Sequence, residues 1–333
     1  MKPLSPLEAV LVRWTGTLAS SAGTGGRSLL VLIYHRVLGA PDPLLEETVD
    51  ATRFAAQMDL VSGCCNVLPL SEAIERLNSR SLPPRALSVT FDDGYADNLE
   101  IAAPIMRTRG IRPTVFIATG YLDGGLMFND AVIEGIRHAP ERFDLADLGF
   151  GVLELGDHAA RRGAIARLIG ELKYRTAAER RRVAIEILQR ASGEPLSDLM
   201  LTTAQLRALR DAGVEIGAHT DTHPILTRLD PAAARLDMAH GKEVLEGILK
   251  EPVRLFAYPN GRPGQDYGAT HVAMAKDLGF GAAVSTAWGA AHHGCDLFQV
   301  PRVAPWDASA VRYAARLVKS YTQRIYPVEQ PWA

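Results

Sequence analysis

The chain has 333 residues, of which 47% are hydrophobic and 22% charged, so it can bury a sizeable core and is not a disordered chain. Its 36 basic and 38 acidic side chains leave a formal net charge of −2, and we therefore expect no nucleic-acid partner. Cys64, Cys65 and Cys295 cannot form a disulfide framework, because their number is odd and two are adjacent. No apolar run of about 18 residues occurs, which predicts no transmembrane segment.

The first 28 residues form an N-terminal segment that precedes the first predicted strand. Lys2 stands before a mildly apolar stretch, but Arg13 interrupts that stretch, and Pro3, Pro6 and Glu8 crowd its start. This arrangement does not favour a cleaved signal peptide. Together with the unpaired cysteines, it predicts a cytoplasmic protein.

Short apolar runs rich in β-branched residues alternate with helical patterns along most of the chain. Several runs are apolar on both faces, which is typical of parallel strands buried under helices. The predicted strands are Leu29–Tyr34, Leu87–Phe91, Thr114–Ala118, Val214–Ala218, Arg254–Ala257, Ala282–Ser285 and Phe298–Val303. This alternation favours an α/β barrel or a doubly wound sheet. Between strands, Asp230 followed by Pro231 predicts the start of a helix that runs towards Lys250.

The segment from about Asn129 to Met200 shows helical patterns and no convincing strand. We interpret it as a helical insertion in a single domain that spans residues 29–305, followed by a helical tail over residues 306–333. Arg180, Arg181 and Arg182 form a basic run within the insertion, and nearby glutamates offset it. The run predicts a solvated helix face, and a surface that guides a polymer or an anionic lipid is the alternative.

A first candidate site follows the strand that ends at Phe91, in the sequence Thr90-Phe91-Asp92-Asp93-Gly94-Tyr95. Adjacent residues at a strand end point in different directions, so Asp92 and Asp93 can have different roles. One can hold a cation while the other handles a proton, and Gly94 permits a sharp turn. Asp-Gly pairs are also common in ordinary turns, so a purely structural role stays open.

A second candidate site, His219-Thr220-Asp221-Thr222-His223, follows the strand Val214–Ala218. Histidines at positions i and i+4 face the same way if the segment coils into a helical turn, and this is metal-ligand spacing. Thr220 stands where a metalloprotease motif has glutamate, so a catalytic base must come from elsewhere. The structural alternative is two unrelated loop histidines.

The two clusters together predict a catalytic metal site. Two histidines and one carboxylate give three protein ligands and leave a coordination position for water. A second carboxylate can then take the proton of that water, whose pKa a metal ion lowers from ~15.7 to roughly 7. Both clusters follow predicted strands, and barrel active sites lie at the carboxyl ends of strands.

The sequences TFDDGY (Thr90–Tyr95) and HTDTH (His219–His223) resemble the first two motifs of the polysaccharide deacetylases, the NodB-homology family of carbohydrate esterases. FAYPNG (Phe256–Gly261) and the strand ending in Tyr34-His35-Arg36-Val37 are similar to the branch that includes poly-N-acetylglucosamine deacetylases. The resemblance covers roughly residues 29–305. It implies an α/β fold, a distorted (β/α)7-type barrel with the helical insertion, and hydrolysis of N-acetyl groups of amino sugars with a divalent metal, for which we expect Zn²⁺.

Carried over to matching positions, the resemblance implies that Asp92 is the general base and that Asp93, His219 and His223 are the metal ligands. It also implies that Tyr258 or its neighbours line the groove and present a backbone N–H to the oxyanion. Further candidates for substrate binding are Tyr95, Asn260 and Trp306. The ring of Trp306 can stack on a sugar, and structural packing is the alternative.

The chain departs from the family pattern in two places. Many members have an arginine that orients the base where this chain has Ala257, and a tyrosine where Asn260 stands. Arg302, at the end of the last predicted strand, can supply the guanidinium, and its alternative is a surface position. The second departure is the absence of the late Leu-x-His motif, whose histidine is the general acid in many members.

His35 is our candidate for that general acid. It ends the first predicted strand, and a closed barrel brings its first and last strands side by side. Imidazole exchanges protons near neutral pH, which suits a group that protonates a departing nitrogen. His292 and His293, in a loop rich in glycine and alanine, are the alternatives.

These residues predict a metal-dependent hydrolase that removes N-acetyl groups from an amino-sugar-containing glycan or glycan precursor. A related amidase or deformylase acting on a small or lipid-linked sugar is the second enzymatic hypothesis. A non-catalytic carbohydrate-binding homologue is the hypothesis from another class, and the complete set of ligands argues against it. Chitin oligomers, peptidoglycan, exopolysaccharide and lipid-linked precursors all present the same acetamide, so the motifs do not select among them.

Overall fold

A computed structural model of the chain describes residues 1, 3–22, 26–191, 198–304 and 306–323. The helices in this part of the chain are α1 (Pro6–Ser21), α2 (Ala51–Cys64), α3 (Leu70–Asn78), α4 (Ala103–Arg107), α5 (Phe128–His138), α6 (His158–Leu172), α7 (Ala177–Arg190), α8 (Thr203–Asp211), α9 (Pro231–Leu249), α10 (Ala269–Asp277) and α11 (Ala310–Ser320). The strands are β1 (Leu29–Tyr34), β2 (Val37–Leu38), β3 (Val49–Asp50), β4 (Asn66–Val67), β5 (Ala86–Phe91), β6 (Thr114–Ile117), β7 (Arg142–Leu145), β8 (Gly151–Glu154), β9 (Glu215–Ala218), β10 (Leu255–Ala257) and β11 (Ala282–Val284).

A parallel sheet in the order β1-β5-β6-β9-β10-β11 forms the centre of the fold, and the short β4 pairs with the start of β5. Strands β1 and β5 are in register from Leu29 opposite Ala86 to Tyr34 opposite Phe91. Every residue of both strands is buried, as the apolar runs predicted for strands covered on both faces. The predicted α/β barrel is confirmed, and six of its predicted strands are right to within one residue at each end.

The ring closes through an irregular segment, Val300–Val303, that lies between β11 and β1. The N–H of Val300 donates to the carbonyl of Ala283 at 2.9 Å, and the N–H of Val303 donates to the carbonyl of Val31 at 2.8 Å. The seventh predicted strand, Phe298–Val303, is therefore wrong as a regular strand and forms isolated bridges instead. Pro301 explains the difference, because proline has no N–H to contribute to a ladder.

The start of helix α9 and its approach to the loop after β9 both depend on particular residues. The side chain of Asp230 accepts the backbone N–H groups of Ala232 and Ala233, both at 3.0 Å, and Pro231 occupies the first turn as predicted. In the middle of this helix, a Cβ added to Gly241 would lie 2.6 Å from the carbonyl carbon of Thr220. Glycine therefore lets α9 approach the loop that carries His219 and His223.

The insertion after β6 contains α5, α6 and α7, which pack around an apolar core separate from that of the barrel. It also contains an antiparallel hairpin of β7 and β8, so the prediction of helices alone was wrong. In β7, Phe143 and Leu145 are buried while Arg142 and Asp144 are exposed. A four-residue alternation of this kind is too short to be distinguished from a helical turn by sequence.

Two helices flank the barrel. Helix α1 packs against α11 and α2, and its start is closed by a capping box in which the N–H of Ser5 donates to Glu8 at 2.7 Å. Helix α11 lies in the predicted helical tail, whose residues 324–333 are outside the described part of the chain. Within the described ranges, none of the helices combines the length and the hydropathy needed to span a lipid bilayer.

Candidate metal centre and active site

The residues of both candidate clusters lie at the carboxyl edge of the sheet. Asp92 and Asp93 directly follow β5, and His219 directly follows β9, with β6 between the two strands. The N–H of Asp92 donates to the carbonyl of Tyr34, and the N–H of His219 donates to that of Ile117, each at 2.9 Å. Backbone pairing therefore continues up to the site and fixes where these side chains start.

Asp93, His219 and His223 converge, and one possible ligand atom of each lies within 4.8 Å of the others. The Oδ1 atom of Asp93 is 3.5 Å from Nε2 of His219 and 3.3 Å from Nε2 of His223. These are the three residues that the family resemblance implies as metal ligands. Their atoms surround a space that one cation can share.

The loop between the two histidines is irregular and does not form the helical turn that would place residues i and i+4 on one side. Thr220 and His223 adopt positive φ angles of 64° and 52°, which are strained for residues with a Cβ. Asp237 of α9 stabilises the loop, because its Oδ1 accepts the N–H groups of Asp221 at 2.9 Å and Thr222 at 3.1 Å. The two imidazoles therefore meet through a loop that tertiary contacts hold in place.

The donor set fits a divalent metal ion. Oδ1 of Asp93 is buried and has no hydrogen-bond donor among the described residues, which is costly for a carboxylate unless a cation balances it. Nδ1 of His219 lies 2.8 Å from the carbonyl oxygen of Ala257. A proton on Nδ1 would donate to this carbonyl and leave the lone pair of Nε2, which faces Asp93, available to a metal ion. Two imidazoles and one carboxylate are a common ligand set for zinc.

Burial and neighbouring charges set the protonation of these groups. Burial raises the pKa of Asp93, but His223 and His219 outweigh it and hold that pKa well below its usual range. Burial lowers the pKa of His223 to about 3 despite the attraction of Asp93, so this imidazole is neutral. Burial also lowers the pKa of His219, but Asp92 and Asp93 reverse the effect and raise it. The two carboxylates thus favour one positive charge here, either a proton or a metal ion.

Arg302 forms a bidentate ion pair with Asp92. Its Nη1 and Nη2 atoms lie 2.6 Å and 2.7 Å from Oδ1 and Oδ2, and its Nε donates to the carbonyl of Ser285 at 3.0 Å. Burial raises the pKa of Asp92, but the charges of Arg302 and His219 outweigh it and lower that pKa. The sequence left open whether Arg302 pairs with the aspartate or lies on the surface. In the structure it is buried beside Asp92.

A cavity of about 460 Å³ opens beside Asp93. His35 is exposed at the end of β1 and lines this cavity, and Trp306, which is half exposed, lines it too. Other polar residues of the wall are Arg36, Glu47, Thr48, Tyr95, Asn129 and Asp130. The cavity therefore combines the candidate metal centre with the candidate general acid and with an aromatic surface.

Tyr95 lines the cavity, but its hydroxyl is already hydrogen-bonded within the protein. It lies 3.1 Å from Oδ2 of Asp130, which comes from helix α5 of the insertion, and the guanidinium of Arg36 lies 4.9 Å from the centre of the Tyr95 ring. Burial raises the pKa of Asp130 to about 7, although the charge of Arg36 opposes the shift. No motif marks Asp130, and sequence reasoning missed it.

Arg180 is a second residue that sequence reasoning missed. It lies on α7 with only 5% of its surface exposed, and its Nη2 donates to the carbonyl of His223 at 2.9 Å. The predicted solvated face is right for Arg181 and Arg182 and wrong for Arg180, because Arg180 lies on the same buried side of α7 as Val183. The insertion therefore contacts the histidine loop directly.

Tyr258 does not line the groove. Its side chain is buried, its ring stacks on Tyr267 with centroids 3.8 Å apart, and its N–H donates to the carbonyl of Val284. The expected groove contact and the expected oxyanion donor are therefore both wrong for this residue. Asn260 has a φ of 58° and its carbonyl accepts the hydroxyl of Thr286, but it does not line the cavity beside Asp93.

The alternative general acids lie at the other edge of the barrel. Nδ1 of His292 is 3.1 Å from the hydroxyl of Ser28, and Nδ1 of His293 is 3.2 Å from the carbonyl of Leu77. The neighbouring Ala291 pairs with Leu29, the first residue of β1. Since the metal centre follows the last residues of the strands, neither histidine belongs to it.

The structure is thus an α/β barrel with a candidate metal centre at its mouth, where two histidines and one carboxylate meet beside an aspartate paired with arginine. The profile of the family described as Polysaccharide deacetylase matches residues 79–283. The chain belongs to this family of hydrolases, as its motifs predict. Asp92, Asp93, His219 and His223 lie inside the matched range, and His35 and Arg302 lie outside it.

Individual relatives agree with this assignment. The Bacillus subtilis (strain 168) protein YxkH, which carries a polysaccharide deacetylase name, is 20% identical over 277 residues that cover 83% of this chain and 70% of its own. The Streptococcus pyogenes deacetylase PplD in complex with acetate superposes with a TM-score of 0.60, at 18% identity, over 89% of this chain and 99% of its own. IcaB from Ammonifex degensii superposes with a TM-score of 0.58, at 22% identity, over 88% of this chain and 98% of its own. Both structures share the fold.

Proposed function

We propose that this protein is a metal-dependent deacetylase that hydrolyses N-acetyl groups of an amino-sugar-containing glycan or glycan precursor and releases acetate. One observation carries the proposal: Asp93, His219 and His223 meet beside an Asp92 that Arg302 holds by both oxygens. Membership of the polysaccharide deacetylase family supports the reaction class.

In this proposal Asp93, His219 and His223 hold the metal, and zinc is the ion that their donor atoms favour. A divalent ion bound there would polarise the acetamide carbonyl and make a neighbouring water more acidic. His223 contributes a neutral imidazole, and Ala257 orients the ring of His219 through its carbonyl. Within the described residues, no hydrogen-bond donor competes for Oδ1 of Asp93.

Asp92 is the proposed general base that takes the proton of the attacking water. Arg302 engages each carboxylate oxygen once, and every carboxylate oxygen has two lone pairs, so acceptor capacity remains for water. The low pKa keeps Asp92 ionised at neutral pH. Arg302 thus orients the base and keeps it in its charged form.

His35 is the proposed general acid. The C–N bond of the acetamide breaks when the nitrogen gains a proton, because an amide anion is a poor leaving group. His35 lines the same cavity as Asp93, and its imidazole can deliver that proton and recover it later. The products are then acetate and the free amine of the sugar.

Trp306 and Tyr95 are the proposed walls of the sugar site. Trp306 is 50% exposed, and an aromatic ring at a cavity mouth can stack on a sugar. Tyr95 is almost fully buried, with its hydroxyl bonded to Asp130, and it supports the wall rather than donating to a ligand. Because Asp130 belongs to α5, the insertion contributes to the substrate cavity in this proposal.

We also propose that residues 29–305 act as one barrel domain with an insertion at about 129–200, flanked by residues 1–28 and 306–333. A cytoplasmic location is part of the proposal, since the three cysteines are free thiols.

The experiment that tests the function measures acetate release from N-acetylglucosamine oligomers by purified protein that has been stripped of metal and reloaded with zinc. We expect release only after reloading, and we expect the zinc-loaded Asp92→Asn variant to be nearly inactive. Formate release from an N-formylated sugar without acetate release would support a deformylase instead. A zinc-loaded protein that binds the oligomers without turnover would support a non-catalytic homologue and overturn the proposal.

A further inference from the structure

Helix α1 presents its large apolar side chains to solvent. The exposed fractions of these side chains are 77% for Leu7, 57% for Val10, 64% for Leu11, 70% for Trp14 and 59% for Leu18. Steps of three and four residues along a helix return to the same side, so these five residues form one continuous stripe. We call this stripe the α1 apolar face.

The opposite side of α1 packs on the protein through Val12, Ala19 and small residues. Gly16 and Ser20 are buried, and a Cβ on Gly16 would lie 3.2 Å from the side chain of Arg85. The carbonyl of Ser20 accepts the N–H of Ser28 at 2.9 Å, just before β1. These contacts fix the rotation of the helix about its axis.

This orientation is the reverse of that expected for a helix on a soluble barrel, which turns its large apolar residues inward. Scattered exposed apolar side chains are ordinary, but a continuous stripe marks an interaction surface. Folding of the chain does not account for the α1 apolar face, since the contacts of α1 with the barrel use its other side.

Basic side chains lie on α1 and on its neighbour α11. Arg13 is exposed on α1 with its Nε bonded to the carbonyl of Gly63, and the acidic Asp59 of α2 beside it pairs with Arg109. Glu8, the one acidic residue of α1, bonds with Ser5 in the capping box. Helix α11 packs beside α1, exposes Arg312 and Lys319, and has no acidic residue in its sequence. An apolar stripe that contains tryptophan and lies near basic side chains complements an anionic lipid interface.

We propose that α1 docks the protein on an anionic lipid surface. The helix has 16 residues, which is about 24 Å, so it can lie in the plane of the interface. Leu7, Leu11 and Leu18 enter the acyl boundary, Trp14 lies at headgroup depth, and the basic residues contact phosphate groups. The α1 apolar face is outside the catalytic cavity, so this proposal does not rest on the proposed hydrolysis.

The test compares sedimentation of the full chain with vesicles of phosphatidylcholine and of phosphatidylcholine mixed with phosphatidylglycerol. We expect strong binding to the anionic vesicles and a blue shift of tryptophan emission. The triple variant Leu11→Gln, Trp14→Gln, Leu18→Gln should bind at least about tenfold more weakly, because each substitution removes an apolar side chain from the interface. Glutamine keeps a high helix propensity, so α1 itself should form.

Matched variants separate apolar from electrostatic contributions. Leu236→Gln removes a side chain that is also 70% exposed, on α9, and should leave vesicle binding unchanged. Arg312→Gln with Lys319→Gln should weaken binding to anionic vesicles about fivefold per charge and leave the weak binding to neutral vesicles unchanged. All variants should release acetate from soluble oligomers at the rate of the parent, which keeps this test distinct from that of the function.

Three results would overturn the proposal. One is a full chain that stays in the supernatant with both kinds of vesicle. Another is a full chain that binds no vesicles and forms a dimer that the triple variant dissociates, since a second copy would then cover the α1 apolar face. The third is vesicle binding by a chain that ends at Gln323 but not by the full chain, which would make the last ten residues the occupant.

Discussion

Arg302 and Asp92 meet through two parallel contacts of 2.6 Å and 2.7 Å, although 210 residues separate them in the chain. Arg302 lies in the segment that closes the barrel, and Asp92 directly follows the central strand β5. We propose that Arg302 supplies, from a different part of the barrel, the guanidinium that many family members place in the third motif, where this chain has Ala257.

Replacing Arg302 with lysine should lower kcat about 10²-fold or more while zinc content stays unchanged, because an ammonium cannot make the bidentate contact. Weaker pairing also raises the pKa of Asp92, so the acid limb of the pH–rate profile should move to higher pH. The measurement is kcat/KM across pH for zinc-loaded protein. Arg190→Lys, which alters an arginine bound by both oxygens of Asp147 in the insertion, is the control. An unchanged profile would remove Arg302 from the positioning of the base.

The roles of the two aspartates can be separated by metal content. Asp92→Asn should retain zinc and lose activity about 10²- to 10⁴-fold, since it removes a base and no ligand. Asp93→Asn, His219→Ala and His223→Ala should lose tight zinc binding and acetate release together. If Asp92→Asn empties the site while Asp93→Asn leaves it filled, the assignment of the aspartates is reversed.

His35→Ala tests the general acid. We expect a large fall in kcat with zinc retained, because the departing nitrogen would lack a proton donor. His293→Ala, at the opposite edge of the barrel, is the matched control and should behave like the parent. An unchanged kcat for His35→Ala would contradict the proposed role and leave water as the proton donor.

Arg180→Lys tests whether the insertion supports the metal centre. Arg180 donates to the carbonyl of His223, and outer-sphere contacts of this kind change metal affinity by about 10- to 100-fold. We therefore expect weaker zinc binding, measured by competition with a chelator, in a protein that remains folded. Arg181→Lys changes the exposed neighbour and should have no effect. Equal zinc affinity in the two variants would restrict Arg180 to packing.

Asp130 should make stability depend on pH. In the folded protein, burial raises the pKa of Asp130 from its usual value of 3.8 to about 7. Between these two values the folded state keeps a proton that the unfolded state releases, so this group lowers the free energy of unfolding as pH rises. The parent should therefore lose stability relative to Asp130→Asn as the pH rises from about 4 to 7. Denaturant titrations of the two metal-free proteins measure this difference. If the free energies of unfolding of the two proteins change with pH in parallel, the carboxyl of Asp130 is not buried in its protonated form.

The parts of the site that sequence predicts are those encoded by short motifs. Asp92 and Asp93 follow an apolar strand, and His219 and His223 recur at metal-ligand spacing, so both clusters could be recognised locally. Parallel topology then brings them together at one edge, because the carboxyl ends of parallel strands share an edge. The barrel itself follows from the alternation of buried strands and helices.

The residues that sequence did not predict act across long separations or depend on side-chain direction. The contact of Arg180 with the His223 loop has no local pattern, and a basic run on a helix usually faces solvent. Tyr258 belongs to a recognisable motif, yet its ring stacks in the core on Tyr267. Successive residues at a strand end point to opposite sides of the sheet. A motif match does not specify which of them points into the cavity.

The closing segment Val300–Val303 also has a consequence for folding. It pairs with Val31 and Ile33 near the start of the barrel, so the ring is complete only when almost the whole domain is available. Contacts of such large sequence separation form late and slowly, because a long loop must first be closed. Arg302 reaches Asp92 from this segment, and a growing chain that lacks it would carry the histidine and aspartate cluster without an oriented base. We therefore expect Asp92 to take its paired position only late in folding, when the ring closes.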